Sequence, residues 1–181
     1  MACTPTLSAY KRGCKVTGGI TDIWINDKET RIDGGITYTI LNGALTIAGG
    51  GAIAAYHIEP RENNTTFTQP RSDDNTAGTT FVTQTLEFTL VGYSAALAYL
   101  SDEIGKGRIE ALMKFDDGTY VMAGIEVNGL QSNGGDAGFS GTAKADANGQ
   151  SYTLTCESKL TAPTLADFSE YTTAFTVNEG S

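Results

Sequence analysis

What this chain has little of decides most of its first reading. One histidine stands among 181 residues. Any Ser-His-Asp or Cys-His arrangement would therefore depend on His57 alone, with a nucleophile and an orienting acid brought to it from afar. Its setting, "AAYHIEP", is that of a structural or exposed strand residue. The three cysteines, Cys3, Cys14 and Cys156, are an odd number with no CxxC spacing. They read as free thiols, and with a single histidine they make no zinc site. No apolar run approaches the ~18 residues of a membrane span. The opening "MACTPTLSAYKRGCKV" lacks the apolar core of a secretory signal, so a cytoplasm, or something assembled in one, is the expected setting. Basic residues are also short: 12 Lys and Arg against 21 Asp and Glu give a net charge of −9. A sequence-reading DNA binder shows a basic stripe, and "YKRGCK" is too short to be one. An acidic surface excludes tight nucleic-acid binding, but not a surface that nucleic acid slides past.

Glycine and threonine are plentiful instead. There are 22 Gly, about 12% against a usual ~7%, and 26 Thr. Glycine for turns and threonine for half-exposed strand faces predict an all-β protein. We expect one domain over residues 1–181, a β-sandwich or partial barrel of eight to ten strands with one short helix packed on the sheet. A strand is expected from Ile20 to Ile25, with "NDKE" and "RIDGG" as turns. The Asn42-Gly43 pair between "ITYTIL" and "ALTIAG" predicts a hairpin, because a type I′ turn needs positive φ at both central positions. "GGGAIAAYHIE" supplies another strand. Residues 60–80 are the one long polar excursion, a hairpin or arm, since loops beyond ~12–15 residues are uncommon unless functional or disordered. In "FVTQTLEFTLVG", Val82, Leu86, Phe88 and Leu90 share one face and Thr83, Thr85, Glu87 and Thr89 the other. Ser94 can cap a helix in which Leu97, Leu100 and Ile104 recur at helical spacing and which Gly105 ends. Leu86, Phe88, Leu90, Leu97, Leu100 and Ile104 form the expected helix–sheet core. "DDG" at 116–118 predicts another hairpin, "GTAKAD" and "QSYTLTCES" a further strand pair, and the chain beyond about residue 163 a polar, extended tail.

The chemical readings fail one by one. Asp116 and Asp117 adjoin on a tight turn and point apart, so they do not make an acid–base pair. "DANGQSYTLTCE" has Ser151 where a calcium loop needs glycine, and strands where it needs helices. "AGGGAI", "NGGDAG" and "GKGR" lack the Lys-Ser/Thr and the βαβ setting of a phosphate loop. The "NNTT" sequons at Asn63 and Asn64 matter only in secretion. We expect no enzyme, cofactor or metal. A self-assembling β protein and a β-sandwich binding module, for example for carbohydrate, remain; the second would usually present exposed aromatics.

The order of strands, long polar hairpin, strong strand, short helix and hairpin resembles a phage major tail protein, the subunit of a tail tube. The start "MACTPTLSAYKRGCKVTGGITDIWI" and the end "FDDGTYVMAGIEVNGL…GFSGTAKADANGQSYTLTCESKLTAPTL" resemble tube-type structural proteins of phages of Bacteroidetes hosts. The likeness is spread over turns and alternation and contains no active-site signature. It implies a β-sandwich that closes with five neighbours into a hexameric ring, the rings stacking head to tail around a channel for DNA. It further implies partners among other phage tail proteins, no membrane, and a place in the virion after assembly in the host cytoplasm. The long hairpin would reach a neighbouring copy through Arg61, Glu62, Phe67, Arg71, Asp73 and Asp74, and Thr85, Glu87 and Thr89 would face a lumen or the outer surface. Another capsid or tail accessory protein is the alternative within the same class.

Overall fold

In the computed structural model, residues 19–60, 65–74, 79–91, 95–126, 128–132, 138–140 and 149–179 are described. The first strands are β1 (Ile20–Asp27), β2 (Thr37–Leu41), β3 (Ala44–Ala48), β4 (Ile53–Ile58), β5 (Thr66–Thr68), β6 (Arg71–Asp74) and β7 (Thr79–Val91). They are followed by β8 (Ile109–Phe115), β9 (Tyr120–Ala123), β10 (Gln131–Ser132), β11 (Gly138–Ser140), β12 (Gly149–Ser158), β13 (Thr164–Leu165) and β14 (Phe175–Asn178). Among the described residues three helices interrupt them: α1 (Lys28–Asp33), α2 (Ala95–Lys106) and α3 (Phe168–Ala174). The fold is all-β with few helices. None of the described helices is long and apolar enough to cross a membrane.

The strands form two sheets. The larger runs β14-β4-β1-β8-β9-β13-β3-β2; the smaller runs β10-β12-β7-β5, with β11 also on β12 and β6 also on β7. The period-2 alternation of β7 makes the smaller sheet two-faced. Leu86 and Phe88, with Tyr152 and Leu154 from β12, meet Ile23, Ile25, Ala111 and Met113 of the larger sheet in one core. Each such large apolar side chain stabilises the fold by about 1.5–3 kcal/mol relative to exposure. The larger sheet is covered on its other face too, where Trp24, Ile36, Leu45, Ile53, Leu112, Tyr171 and Phe175 make a second core. Its central strand β8 is therefore buried on both sides over Ile109–Met113, which is why "IEALM" does not alternate. Tyr38 on edge strand β2 hydrogen-bonds Glu110 on β8 at 2.9 Å, four places away in strand order. A flat sheet would hold them roughly 19 Å apart at ~4.8 Å per strand. The larger sheet thus curls over the second core as a partial barrel.

Turn chemistry follows the sequence. Asn42 and Gly43 have φ of 54° and 82° between β2 and β3. Gly118 has φ 83° at the β8–β9 turn, and the Asp117 carboxylate accepts the Thr119 N–H at 2.9 Å. β7 and β12 pair in register over ten residues, from Val82–Ser158 to Val91–Gly149.

Four expectations need correction. "NDKE" and "RIDGG" are not turns alone: Asp27 caps α1 by accepting the Thr30 N–H at 2.7 Å, and Lys28 and Arg31 face inward. Gly105 does not end α2, which continues to Lys106, with the Gly107 N–H still bonded to the Glu103 carbonyl; one glycine in a last turn costs only about 1 kcal/mol. The chain after 163 is not an extended tail. It forms β13, α3 and β14, because Tyr171, Ala174 and Phe175 recur at helical spacing and are buried among threonines that mask the pattern. The hairpin expected within 60–80 is present, since the consecutive strands β6 and β7 pair antiparallel; β5 pairs with β7 as well, so this part of the excursion extends the smaller sheet of its own chain. The short strands raise the count beyond the expected eight to ten.

Candidate functional site

The outward face of the smaller sheet is rich in hydroxyls, although Phe81 falls at the same alternation on β7. Along β7, Thr83, Thr85, Glu87 and Thr89 alternate with the inward Val82, Gln84, Leu86, Phe88 and Leu90. Register sets them beside β12: Thr85 opposite Thr155, Glu87 opposite Thr153, Thr89 opposite Ser151, Thr83 opposite Glu157. Thr66 and Thr68 of β5 continue the rows beside Glu87 and Thr85, and Gln131 of β10 lies beside Thr155. The rows are tied laterally by the Thr89–Ser151 hydroxyl pair at 3.0 Å and by Thr66 donating to Glu87 at 3.1 Å. Among the described residues this face of β5, β7, β12 and β10 carries two carboxylates and no lysine or arginine.

The expected helix–sheet core is found in part. Leu86, Phe88, Leu90 and Ile104 are buried in the core between the sheets, and Leu100 packs against it half-buried. The side chain of Leu97 and the residue Ser94 lie outside the described residues. Of the expected arm, Phe67 packs on the same core, opposite Leu86. Arg71 and Asp73 are exposed on β6, and Asp74 ends that strand opposite Thr79. Arg61, Glu62, Cys3 and Cys14 lie outside the described residues. Cys156 is buried, its thiol 3.6 Å from the Gln84 side-chain carbonyl, and burial pushes its pKa up to about 11.

His57 stacks on Trp24 with ring centroids 5.0 Å apart. Its Nε2 lies 3.0 Å from Asp22 and its Nδ1 2.8 Å from Glu179. Both ring nitrogens therefore face carboxylates, leaving neither for a nucleophile; the pair of contacts instead joins β4 to β1 and to the residue just past β14. Burial of Asp22 opposes its ionisation. Hydrogen bonds from Thr21 and His57, with the nearby Lys114 ammonium, outweigh that and hold it below the usual carboxylate range.

One constellation was not legible in the sequence. Glu110, fully buried on β8, accepts from Arg31 at 2.8 and 3.3 Å, from the Asn26 amide at 2.9 Å and from the Tyr38 hydroxyl at 2.9 Å. The Arg31 guanidinium lies over the Tyr38 ring, 4.4 Å from its centroid, and donates to the Ile36 carbonyl at 3.0 Å. Lys28, 3.6 Å from Glu110, donates to the carbonyls of Gly124, Ile125 and Glu126. Burial pushes the Lys28 pKa down, against the pull of Glu110. Tyr171 completes the set by donating to Asn26 at 3.1 Å. Every charge here has partners, so the cluster fastens α1, β2 and α3 to the central strands and positions the curl of the larger sheet. The available signal was a lone glutamate inside the apolar run "RIEALM", unexpected in a strand buried on both faces.

No family of known proteins, no curated protein and no solved structure matches this chain.

Proposed function

We propose that this chain is a non-enzymatic structural virion protein that self-assembles into stacked hexameric rings, forming a phage tail tube through which DNA passes. The observation that carries the reading is the hydroxyl-rich face of β5, β7, β12 and β10, rigidly backed by the core and free of basic side chains among the described residues. A channel wall for DNA needs polar groups that keep it wet and no Lys or Arg to bind phosphates by counterion release. Thr85, Glu87 and Thr89 are then lumen residues. Sheet edges left unpaired among the described residues support the same reading. β2 and β14 end the larger sheet, and an unpaired edge is stabilised by a neighbour that closes it. Identical heterologous contacts close into a ring when the rotation closes, and stacking extends the ring into a tube.

Negative-stain electron microscopy of the purified chain over a concentration and salt series tests this. Stacked rings with a central hole are expected; separate particles under every condition would sink the reading. A specific observation favours a second reading, the ligand-binding module: Tyr56 and Tyr99 are 43% and 62% exposed and line one cleft. Saturable sugar binding by a chain that never assembles would establish that alternative.

A further inference from the structure

We propose that the cleft between α2 and the β1–β4 part of the larger sheet is the docking site for residues 1–18 of a second copy of the chain. The cleft encloses about 420 Å³. Its floor is apolar, with Ile25 and Ile104 almost fully buried, and its sides carry the exposed rings of Tyr56 and Tyr99. Carboxylates complete it. Asp27 is engaged as the cap of α1, and Glu29 meets Arg108 at only 3.8 Å. Glu103 is exposed and has no ion pair among the described residues; Lys106 is the one cation lining this cleft. Tyrosine faces attract lysine and arginine, and carboxylates orient their N–H donors. The cleft is thus suited to a basic segment with some apolar body.

The sequence contains one such segment. Residues 1–18 hold Tyr10, Lys11, Arg12 and Lys15 and no acid, in a chain of net charge −9. Chain direction is compatible with a neighbour as its host. The Gly19 carbonyl accepts from the Asp116 N–H at the β8–β9 turn, and β1 then runs from Ile20 to Asp27 before reaching the cleft. At ~3.3 Å per residue that is roughly 23 Å, so the point where the segment joins the sheet and the cleft that accepts it lie at opposite ends of β1. Opposite ends of successive copies are what a head-to-tail contact brings together. The chemistry of the cleft stands apart from the tube reading; its use between copies rests on that reading.

The test uses a fluorescent synthetic peptide of residues 1–18 and the full chain carrying K11E, R12E and K15E, which removes the competing charge of its own segment. Saturable binding is expected, weakened at higher salt and reduced about tenfold or more by Glu103→Lys or Tyr99→Ala in variants that keep the parent melting temperature. No binding, or binding indifferent to both substitutions, overturns the docking. Sedimentation velocity then compares the wild type with the K11E/R12E/K15E chain. A large wild-type species and a monomeric variant support the contact between copies. Rings formed equally by both would overturn this docking while leaving the tube reading standing. A wild type that binds the peptide but never associates would overturn both the second copy as host and the tube.

Discussion

Asn26 and Glu110 sit directly opposite each other on β1 and β8, and the Asn26 amide donates to the Glu110 carboxylate at 2.9 Å with both residues buried. Around this pair gather Arg31, Lys28, Tyr38 and Tyr171, drawn from α1, β2 and α3. A carboxylate in such a place is costly to bury, and its attraction to Arg31 offsets the cost only while the geometry holds. Glu110→Ala leaves two buried cations facing a gap. We expect a loss of about 3–5 kcal/mol, read from urea denaturation. A loss below about 1 kcal/mol would show that the network carries little of the fold. Glu110→Gln should fall between, because the amide keeps shape and some acceptor capacity but not charge.

Buried phenols in both cores, with one buried thiol, set the alkaline limit. Burial raises the pKa of Tyr38, Tyr152 and Tyr171 above 10.0, and that of Cys156 from 9.0 to about 11. A group whose folded pKa is raised holds its proton longer in the native state, so its contribution is complete below the unfolded pKa and is lost as pH rises through the folded one. Stability should therefore begin to fall near pH 9 with Cys156 and fall further above pH 10 with the three tyrosines. Lys28 acts oppositely, since its lowered pKa makes the native state gain as pH rises toward 10.5, but it is one group against four. Absorbance at 295 nm should show these tyrosines ionising together with unfolding. Smooth titration of all eight tyrosines before any loss of circular dichroism would contradict the packing.

Gly124 and Gly118 separate backbone strain from crowding. Both have positive φ, 80° and 83°. A Cβ at Gly118 would meet nothing within 4 Å, whereas one at Gly124 would lie 2.5 Å from the Ile109 carbonyl and 3.0 Å from the Leu130 nitrogen. Gly118→Ala should cost about 1–2 kcal/mol, the left-handed penalty alone. Gly124→Ala should cost distinctly more, because it also disturbs the Ile109–Leu130 bridge and the Gly124 contacts with Gln84 and Lys28. Equal midpoint shifts in urea would show that the β9–β10 connection yields easily.

Strands with one wet face were legible because their period is local. Val82 to Leu90 announced both faces of β7, and Asn42-Gly43 announced its hairpin. Elements whose inward residues are polar were not. In α1 the buried positions are Lys28 and Arg31, so no apolar stripe marks a helix. In α3 the cap Asp167, with Glu170 three residues on, was a usable start signal, obscured by "YTT". Glu110 finds its partners in residues 72 to 84 positions away, which pattern reading along the chain does not see.

A single change of charge on the hydroxyl face bears most directly on the tube reading. Thr85 and Thr155 are cross-strand partners, half-buried on the outward side of β7 and β12, and Thr85→Lys with Thr155→Lys places two ammonium groups where the described face has none. Surface substitutions usually alter stability by no more than about 0.5 kcal/mol; at these half-buried positions the lysine stems must reach outward, and two like charges opposite each other add some repulsion. The fold should therefore survive with a small drop in melting temperature. Duplex DNA retention should change far more: none for wild-type tubes at moderate salt, and measurable retention for the variant that falls steeply as salt rises, since each new phosphate contact steepens the log–log salt dependence by about 0.9. Retention is read by co-pelleting labelled DNA with assembled tubes. If the lysine tubes assemble normally and still ignore DNA at low salt, the β7–β12 face does not line the channel. If wild-type tubes already bind DNA tightly, the idea of a non-adhesive wall fails.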